Sequence, residues 1–128
     1  MTNGARPQNP RPGVEINTHS GRFIDIPGQV AVNEYGEVVG ADDAAAQARR
    51  TFQNLQLCLS ALHATLDHVV KLTYYMTDIA YLSAINQVAE EFIGAGRSPA
   101  ITAIQVSALF RPELLVQIEA VAFVPRGG

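Results

Sequence analysis

Residues 114–124 are the part of the sequence that most restricts the possible fold. They alternate as in a β-strand, where successive side chains point to opposite faces of a sheet. One row consists of Val116, Ile118, Ala120 and Ala122. The opposite row, which is still largely apolar, consists of Leu115, Gln117, Glu119, Val121 and Phe123. The strand therefore belongs to a sheet whose two faces both need to be shielded from water.

Two amphipathic helices are predicted, and they can cover only one of these faces. From Asp42 onward, apolar residues recur at steps of three and four, namely Ala45, Ala48, Phe52, Leu55, Leu59 and Leu62. Thr77 and Asp78 can cap a second helix, whose apolar face consists of Leu82, Ile85, Ala89 and Phe92. The row that contains Val116 would face these helices. Because only 16% of the residues are charged, we expect the other row to be buried between copies of the chain.

The remaining segments complete a single α+β domain over residues 14–128. Strands are predicted at residues 14–17 and 22–26, in a hairpin with Gly21 in its turn, at residues 68–76, and after Pro99. Pro27 and Gly28 interrupt the second strand, and residues 29–32 resume it. The predicted order is β-β-(β)-α-β-α-β-β, with two helices on one face of the sheet. Residues 1–13, which are rich in proline and glycine, are expected to form a flexible arm.

Charge and composition exclude several classes of partner. The net charge is -3, and no cluster of Lys and Arg suggests a nucleic-acid surface. No apolar run approaches membrane-spanning length, so no membrane partner is predicted. The single cysteine, Cys58, lies among leucines as a buried, inert thiol would, and it suits a reducing cytoplasm. No spacing of ligating residues predicts a metal site, and we expect no cofactor.

Several segments occur in the order seen in the reactive-intermediate deaminase (Rid, YjgF-type) family. They are GRFIDIPGQVAVNEYGEVVG, LDHVVKLTYYMTDIAYLSAINQVAEEF, SPAITAIQVSAL and VQIEAVAF. The sequence resembles this family over residues 14–123. The resemblance implies a chorismate-mutase-like protomer that assembles as a homotrimer, with inward-facing sheets and a ligand cleft at each subunit junction. It also implies hydrolysis of enamines and imines to 2-oxo acids and ammonia.

The resemblance fails at the residues that would bind the carboxylate of such a substrate. Ile101 stands where the family has an arginine, and Ala103 stands where it often has a cysteine. An α-carboxylate at Ile101 would lose a charge-assisted hydrogen-bonded pair, worth about 1.5–3 kcal/mol. Arg97 and Arg111 could each guard the mouth of the cleft, although a solvated loop position is the more common outcome for an arginine.

Other positions of the family's site are partly kept. Gly28 is retained, but Pro27 replaces the serine before it. Gln117 stands where the family has a glutamate thought to position water, and the neighbouring Glu119 is retained. The family's tyrosine on the first strand falls on Val14.

The sequence favours a homotrimer that binds a small molecule in its clefts and is not a typical 2-imino acid deaminase. The candidate ligand-binding residues are Gly28, Ile101, Ala103, Tyr75 and Arg97. The alternative is a diverged hydrolase that acts on an imine or enamine without an α-carboxylate. In that case Gln117 and Glu119 would be the catalytic residues that position water. Glu119 could instead brace the trimer by pairing with a basic residue or a backbone amide.

Overall fold

The elements of the chain follow the predicted α+β order. The structure is a computed structural model that describes residues 10–94 and 98–127. The elements are β1 (Val14–Asn17), β2 (Gly21–Val30), α1 (Ala44–Ala61), β3 (Val69–Met76), α2 (Leu82–Phe92), β4 (Ala100–Gln105) and β5 (Val116–Pro125). Short 3₁₀ turns at Leu66–His68 and Ile79–Tyr81 precede β3 and α2. The predicted β3 therefore begins one residue too early, because His68 belongs to the turn.

Within the described residues the strands form one mixed sheet with the order β1-β2-β5-β3-β4. All neighbours are antiparallel except β3 and β4, which are parallel and are connected through α2. A parallel pair requires such a crossover, because a tight turn reverses the direction of the chain. The sheet thus has β1 and β4 as its two edges.

The predicted break at Pro27 and Gly28 is replaced by a bulge inside a single strand. β2 continues to Val30, and its register with β5 shifts between Ile26 and Gln29. A bulge accommodates the proline, which has no N–H to donate to the ladder. Val32, predicted to lie in a resumed strand, makes only an isolated bridge with Val38.

The helices cover one face of the sheet, as the strand pattern predicts. Val116, Ile118, Ala120 and Ala122 are all buried in the main core. On the helix side, the Phe52 ring stacks on Phe92 with centroids 5.4 Å apart and meets Tyr74 edge-on at 6.4 Å. In α2 the buried residues are Ile85, Val88 and Ala89, so Val88 takes a place that the sequence assigns to Leu82 and Phe92, which are only partly buried.

Buried side-chain amides on α1 connect this helix to distant segments. Gln47 is fully buried, and its Nε2 donates to the carbonyls of Gly40 at 3.2 Å and Glu113 at 2.8 Å. Its Oε1 accepts from the Leu115 N–H at 2.8 Å. Asn54 Nδ2 donates similarly to two carbonyls at the end of β2 and just after it. The Gln47 bonds fix the chain just before β5, where propensity alone specifies little, and the Asn54 bonds fix the end of β2.

The second face of the sheet is largely uncovered by any described residue. We call it the open face. Its side chains are those of Val14, Ile16, Phe23, Asp25, Lys71, Thr73, Tyr75, Thr102, Ile104, Gln117, Glu119, Val121 and Phe123, which are cross-strand partners on the side opposite the core. Val14 is 60% exposed and Ile16 is 53% exposed. Its apolar side chains are concentrated where Ile16, Phe23 and Phe123 are cross-strand neighbours, and such an apolar area is unusual for a surface that remains in water.

The described part of the predicted arm is docked against the domain. The Cys58 thiol donates to the Arg11 carbonyl at 2.9 Å, and the Gln29 side chain bonds to the backbone N–H and carbonyl of Arg11. Burial raises the pKa of Cys58 to about 11, which disfavours the reactive thiolate. Residues 1–9, where the rest of the arm is predicted, lie outside the described residues.

Candidate functional site

Gly28 and Gln117 meet at the bulge of β2. A Cβ atom added to Gly28 would lie only 2.3 Å from Gln117 Nε2 and 2.7 Å from its Cδ. Glycine is therefore what allows the Gln117 amide to lie against the backbone at this point. Gly28, which matches the family's glycine, is thus the point where the Gln117 side chain approaches the main chain closely.

A pocket of about 490 Å³ opens beside this contact. We call it the bulge pocket. Its lining includes Gly28, Gln117, Val30, Tyr35, Phe110 and Arg111. It combines an apolar wall with an amide and a guanidinium, a mixture that is typical of small-molecule sites.

Arg111 is one of the residues that line this pocket. Its Nη1 donates to the Gly36 carbonyl at 2.8 Å, and its Nη2 lies 3.8 Å from a carboxylate oxygen of Glu113. The first contact orients the guanidinium, whereas the second is too long for a hydrogen bond. Arg111 is therefore held on one side by the loop at Gly36 and remains partly exposed on the other.

Glu119 is held by Tyr75 on the open face. The Tyr75 hydroxyl donates to the Glu119 carboxylate. That hydrogen bond, followed by burial and the charge of the carboxylate, raises the pKa of Tyr75. Glu119 lies two residues from Gln117 on the same face of β5, but it does not line the bulge pocket. The two predicted catalytic residues thus share a face without sharing that pocket.

Ile101 and Ala103 lie on the helix side of β4. Their register partners on β3 are Leu72 and Tyr74, which both belong to the core. Ile101, 45% exposed, lines a second pocket of about 590 Å³ with Tyr74 and Asn86. We call this the edge pocket. Within one protomer the sheet separates Ile101 and Ala103 from Gln117, so a cleft that contains both sets would need a neighbouring subunit.

Tyr74, which lines the edge pocket, carries a polar group without a described partner. The Tyr74 hydroxyl is buried and has no hydrogen-bond partner among the residues that the structure describes. Burial raises the pKa of Tyr74 to about 12. Arg97, which was predicted to bind a ligand near this loop, lies outside the described residues.

Sequence reasoning missed the aromatic residues of the bulge pocket. Tyr35 is 77% exposed and Phe110 is 64% exposed, and both lie in loops. The available signal was an aromatic side chain in each of two turn segments, NEYGE and LFRPE, where small and polar residues are usual. Over residues 10–94 and 98–127, no group of three or more His, Cys, Asp or Glu residues could hold a metal ion. In the same ranges, no helix combines the length and apolar character that crossing a bilayer requires.

The contact between Gly28 and Gln117 can be tested by a double-mutant cycle. Gly28→Ala is expected to destabilise the fold by about 1 kcal/mol, because the new methyl group forces the Gln117 side chain out of its position. In a Gln117→Ala background the same change should cost much less, since the obstructing atoms are gone. Urea unfolding of the four proteins measures both costs. Equal costs in the two backgrounds would show that the amide does not occupy this place.

Comparison with known proteins agrees with the resemblance in the sequence. A family model described as Endoribonuclease L-PSP matches residues 6–124. A RutC family protein of Pyrococcus abyssi is 35% identical over 104 residues, which cover 80% of each chain. The 3-aminoacrylate deaminase RutC of Acinetobacter baylyi is 33% identical over 107 residues, covering 84% of this chain and 83% of that protein.

Solved structures give the same result. YyfB of Yersinia pestis, a member of the conserved Rid protein family, superposes with a TM-score of 0.75 at 40% identity, and the match covers 86% of this chain and 84% of that one. RidA from a Psychrobacter species superposes with the same TM-score at 26% identity, covering 86% and 85%. The family model, the relatives and the shared α+β fold lead to one conclusion: the chain belongs to the Rid (YjgF-type) family.

Proposed function

We propose that this protein is a homotrimer that binds a small molecule in clefts between its subunits and is not a typical 2-imino acid deaminase. The observation that carries the proposal is Ile101 in the edge pocket, at the position where the family has a carboxylate-binding arginine. The aliphatic side chain offers no hydrogen bond to a carboxylate. Losing such a charge-assisted pair costs about 1.5–3 kcal/mol, or roughly ten- to 150-fold in binding.

The exposed edge strands of the sheet support the proposed trimer. The side chains of β1 are all exposed, and so are those of β4 except for the partly buried Ala103. Edge strands with apolar side chains invite further association, which natural proteins control by covering them. Assembly through the open face would cover these edges. A cleft that combines Ile101 of one subunit with Gly28 and Gln117 of the next requires in addition that the edge strand β4, which carries Ile101, lie at the junction.

The ligand class follows from the pockets and the charge. The bulge pocket, at about 490 Å³, suits a small molecule. The family description as an endoribonuclease does not match the net charge of -3, because binding to nucleic acid depends on clustered positive charge. The single cysteine is compatible with a reducing cytoplasm.

One observation favours a second candidate, a diverged imine or enamine hydrolase. The Glu119 carboxylate is oriented by the Tyr75 hydroxyl, and Gln117, two residues earlier in the chain, lies on the same face of β5. Its second oxygen accepts no hydrogen bond from the described residues and is available to orient a water molecule. Such an enzyme would act on a substrate without an α-carboxylate at the Ile101 end of the cleft.

The test is ammonia release from 2-aminoacrylate generated in situ, measured for the wild type and for Ile101→Arg. The wild type should not exceed the uncatalysed rate. The variant should exceed the wild type at least tenfold, because the guanidinium restores a bidentate partner for the carboxylate. Gln87→Arg, on the exposed side of α2, is the control for an added positive charge and should remain inactive.

Each result distinguishes the candidates. Rapid turnover by the wild type would contradict the proposal. If the wild type releases ammonia from a carboxylate-free enamine and Gln117→Ala does not, the protein is a diverged hydrolase and not a binding protein without activity.

A further inference from the structure

Arg111 has hydrogen-bond donors that the described protein does not use. A guanidinium has five N–H groups arranged in a planar fork. Nη1 donates to the Gly36 carbonyl at 2.8 Å, whereas Nη2 remains 3.8 Å from the nearest Glu113 carboxylate oxygen. The side chain is 36% exposed and lines the bulge pocket. It is therefore oriented by the protein and still able to bind an acceptor from outside.

The charge and shape of the surroundings suit an anion with a flat apolar body. The charged residues of the lining are Arg11, Glu34 and Arg111, so the lining itself carries two positive groups and one negative group, while Glu113 lies outside it beside Arg111. Phe110, adjacent to Arg111, and Tyr35, adjacent to Gly36, contribute aromatic rings to the same pocket. Aromatic side chains that are this exposed are otherwise disfavoured, and they often mark binding surfaces.

We propose that the bulge pocket binds a small aromatic or conjugated carboxylate, with Arg111 holding the anionic group. This proposal rests on the proposed function, because it takes the bulge pocket as part of the ligand cleft. It adds that the positive anchor lies in the loop before β5 rather than on β4. The carboxylate of the ligand would then lie beside Gln117 and Gly28, and not beside Ile101.

The experiment uses benzoate and its neutral analogue benzamide as probes of the full chain, with affinities measured by NMR titration. Benzoate should bind the wild type at least tenfold more tightly than benzamide does. Arg111→Gln should weaken benzoate binding at least tenfold and change benzamide binding by less than about twofold. Arg49→Gln, which removes a positive charge on the exposed side of α1, should leave both affinities unchanged.

Tyr35→Ala provides an independent measurement, because this exposed loop position tolerates truncation. It should weaken both probes, since it removes the ring and leaves the charge. The proposal fails if the wild type binds no benzoate or shows no preference for it, or if Arg111→Gln retains the full affinity. Deamination of 2-aminoacrylate by the wild type would contradict the proposed function but would leave this anion site intact.

Discussion

Replacing Gln47 with leucine is expected to lower the free energy of unfolding by about 3 kcal/mol. The fully buried amide bridges α1 to Gly40 and to both sides of Leu114, through the Glu113 carbonyl and the Leu115 N–H. Leucine has a similar volume but cannot make these bonds. It would leave partly buried backbone groups without partners, and each such group costs about 1–3 kcal/mol. Urea unfolding at one fixed protein concentration measures the change, because the stability of an oligomer depends on concentration.

Gln53→Leu is the matched control for this substitution. Gln53 lies on the same helix but is exposed, so its replacement should change stability by less than about 0.5 kcal/mol. Equal denaturation midpoints for the two variants would contradict the role assigned to Gln47. The segment that Gln47 holds also carries Arg111, so the loss of order there should extend to the bulge pocket.

The elements that the sequence predicts well are those whose burial is periodic. β5 and α1 each place one face against the same core, and the spacing of their apolar residues identifies that face. The continuation of β2 past Pro27 could not be predicted in this way. A bulge depends on the strand opposite, and the register shift between Ile26 and Gln29 is visible only when β5 is in place.

The candidate site is predicted less completely, for a related reason. Gly28 and Gln117 could be identified because the family pattern passes through both. Alternation assigns Ile101 to one face of β4 and Gln117 to one face of β5. It does not say whether these two faces lie on the same side of the sheet. The structure shows that they lie on opposite sides of one sheet. Arg111 reaches its pocket through a contact with Gly36, which is 75 residues away, and no local pattern encodes such a contact.

The open face is the reason why we propose that one protomer is an incomplete unit. On this face the rings of Phe23 and Phe123 lie 4.8 Å apart, beside Val121 and the exposed edge strand β1. The layer of helices cannot reach this side, because α1 and α2 both pack on the other. If the trimer buries this area, each contact gains about 25 cal/mol for every Å² of apolar surface removed from water.

Phe123→Glu is therefore expected to dissociate the proposed trimer into monomers at micromolar concentrations. The new carboxylate would be buried without a partner in the assembly, at a cost of several kcal/mol for each subunit. In an isolated protomer the same carboxylate faces water, so the fold should persist. Size-exclusion chromatography with light scattering should find a mass close to the 13.8 kDa of one chain, against three times that mass for the wild type.

Leu57→Glu is the control for this change, because Leu57 is also an exposed apolar residue but lies on α1, on the helix side of the molecule. It should leave the trimer intact. A wild type that is already monomeric would contradict the assembly itself. Dissociation by Leu57→Glu but not by Phe123→Glu would move the contact to the helices. In that case Ile101 would no longer be brought towards the Gln117 of a neighbour, and the proposed cleft would lose one of its walls.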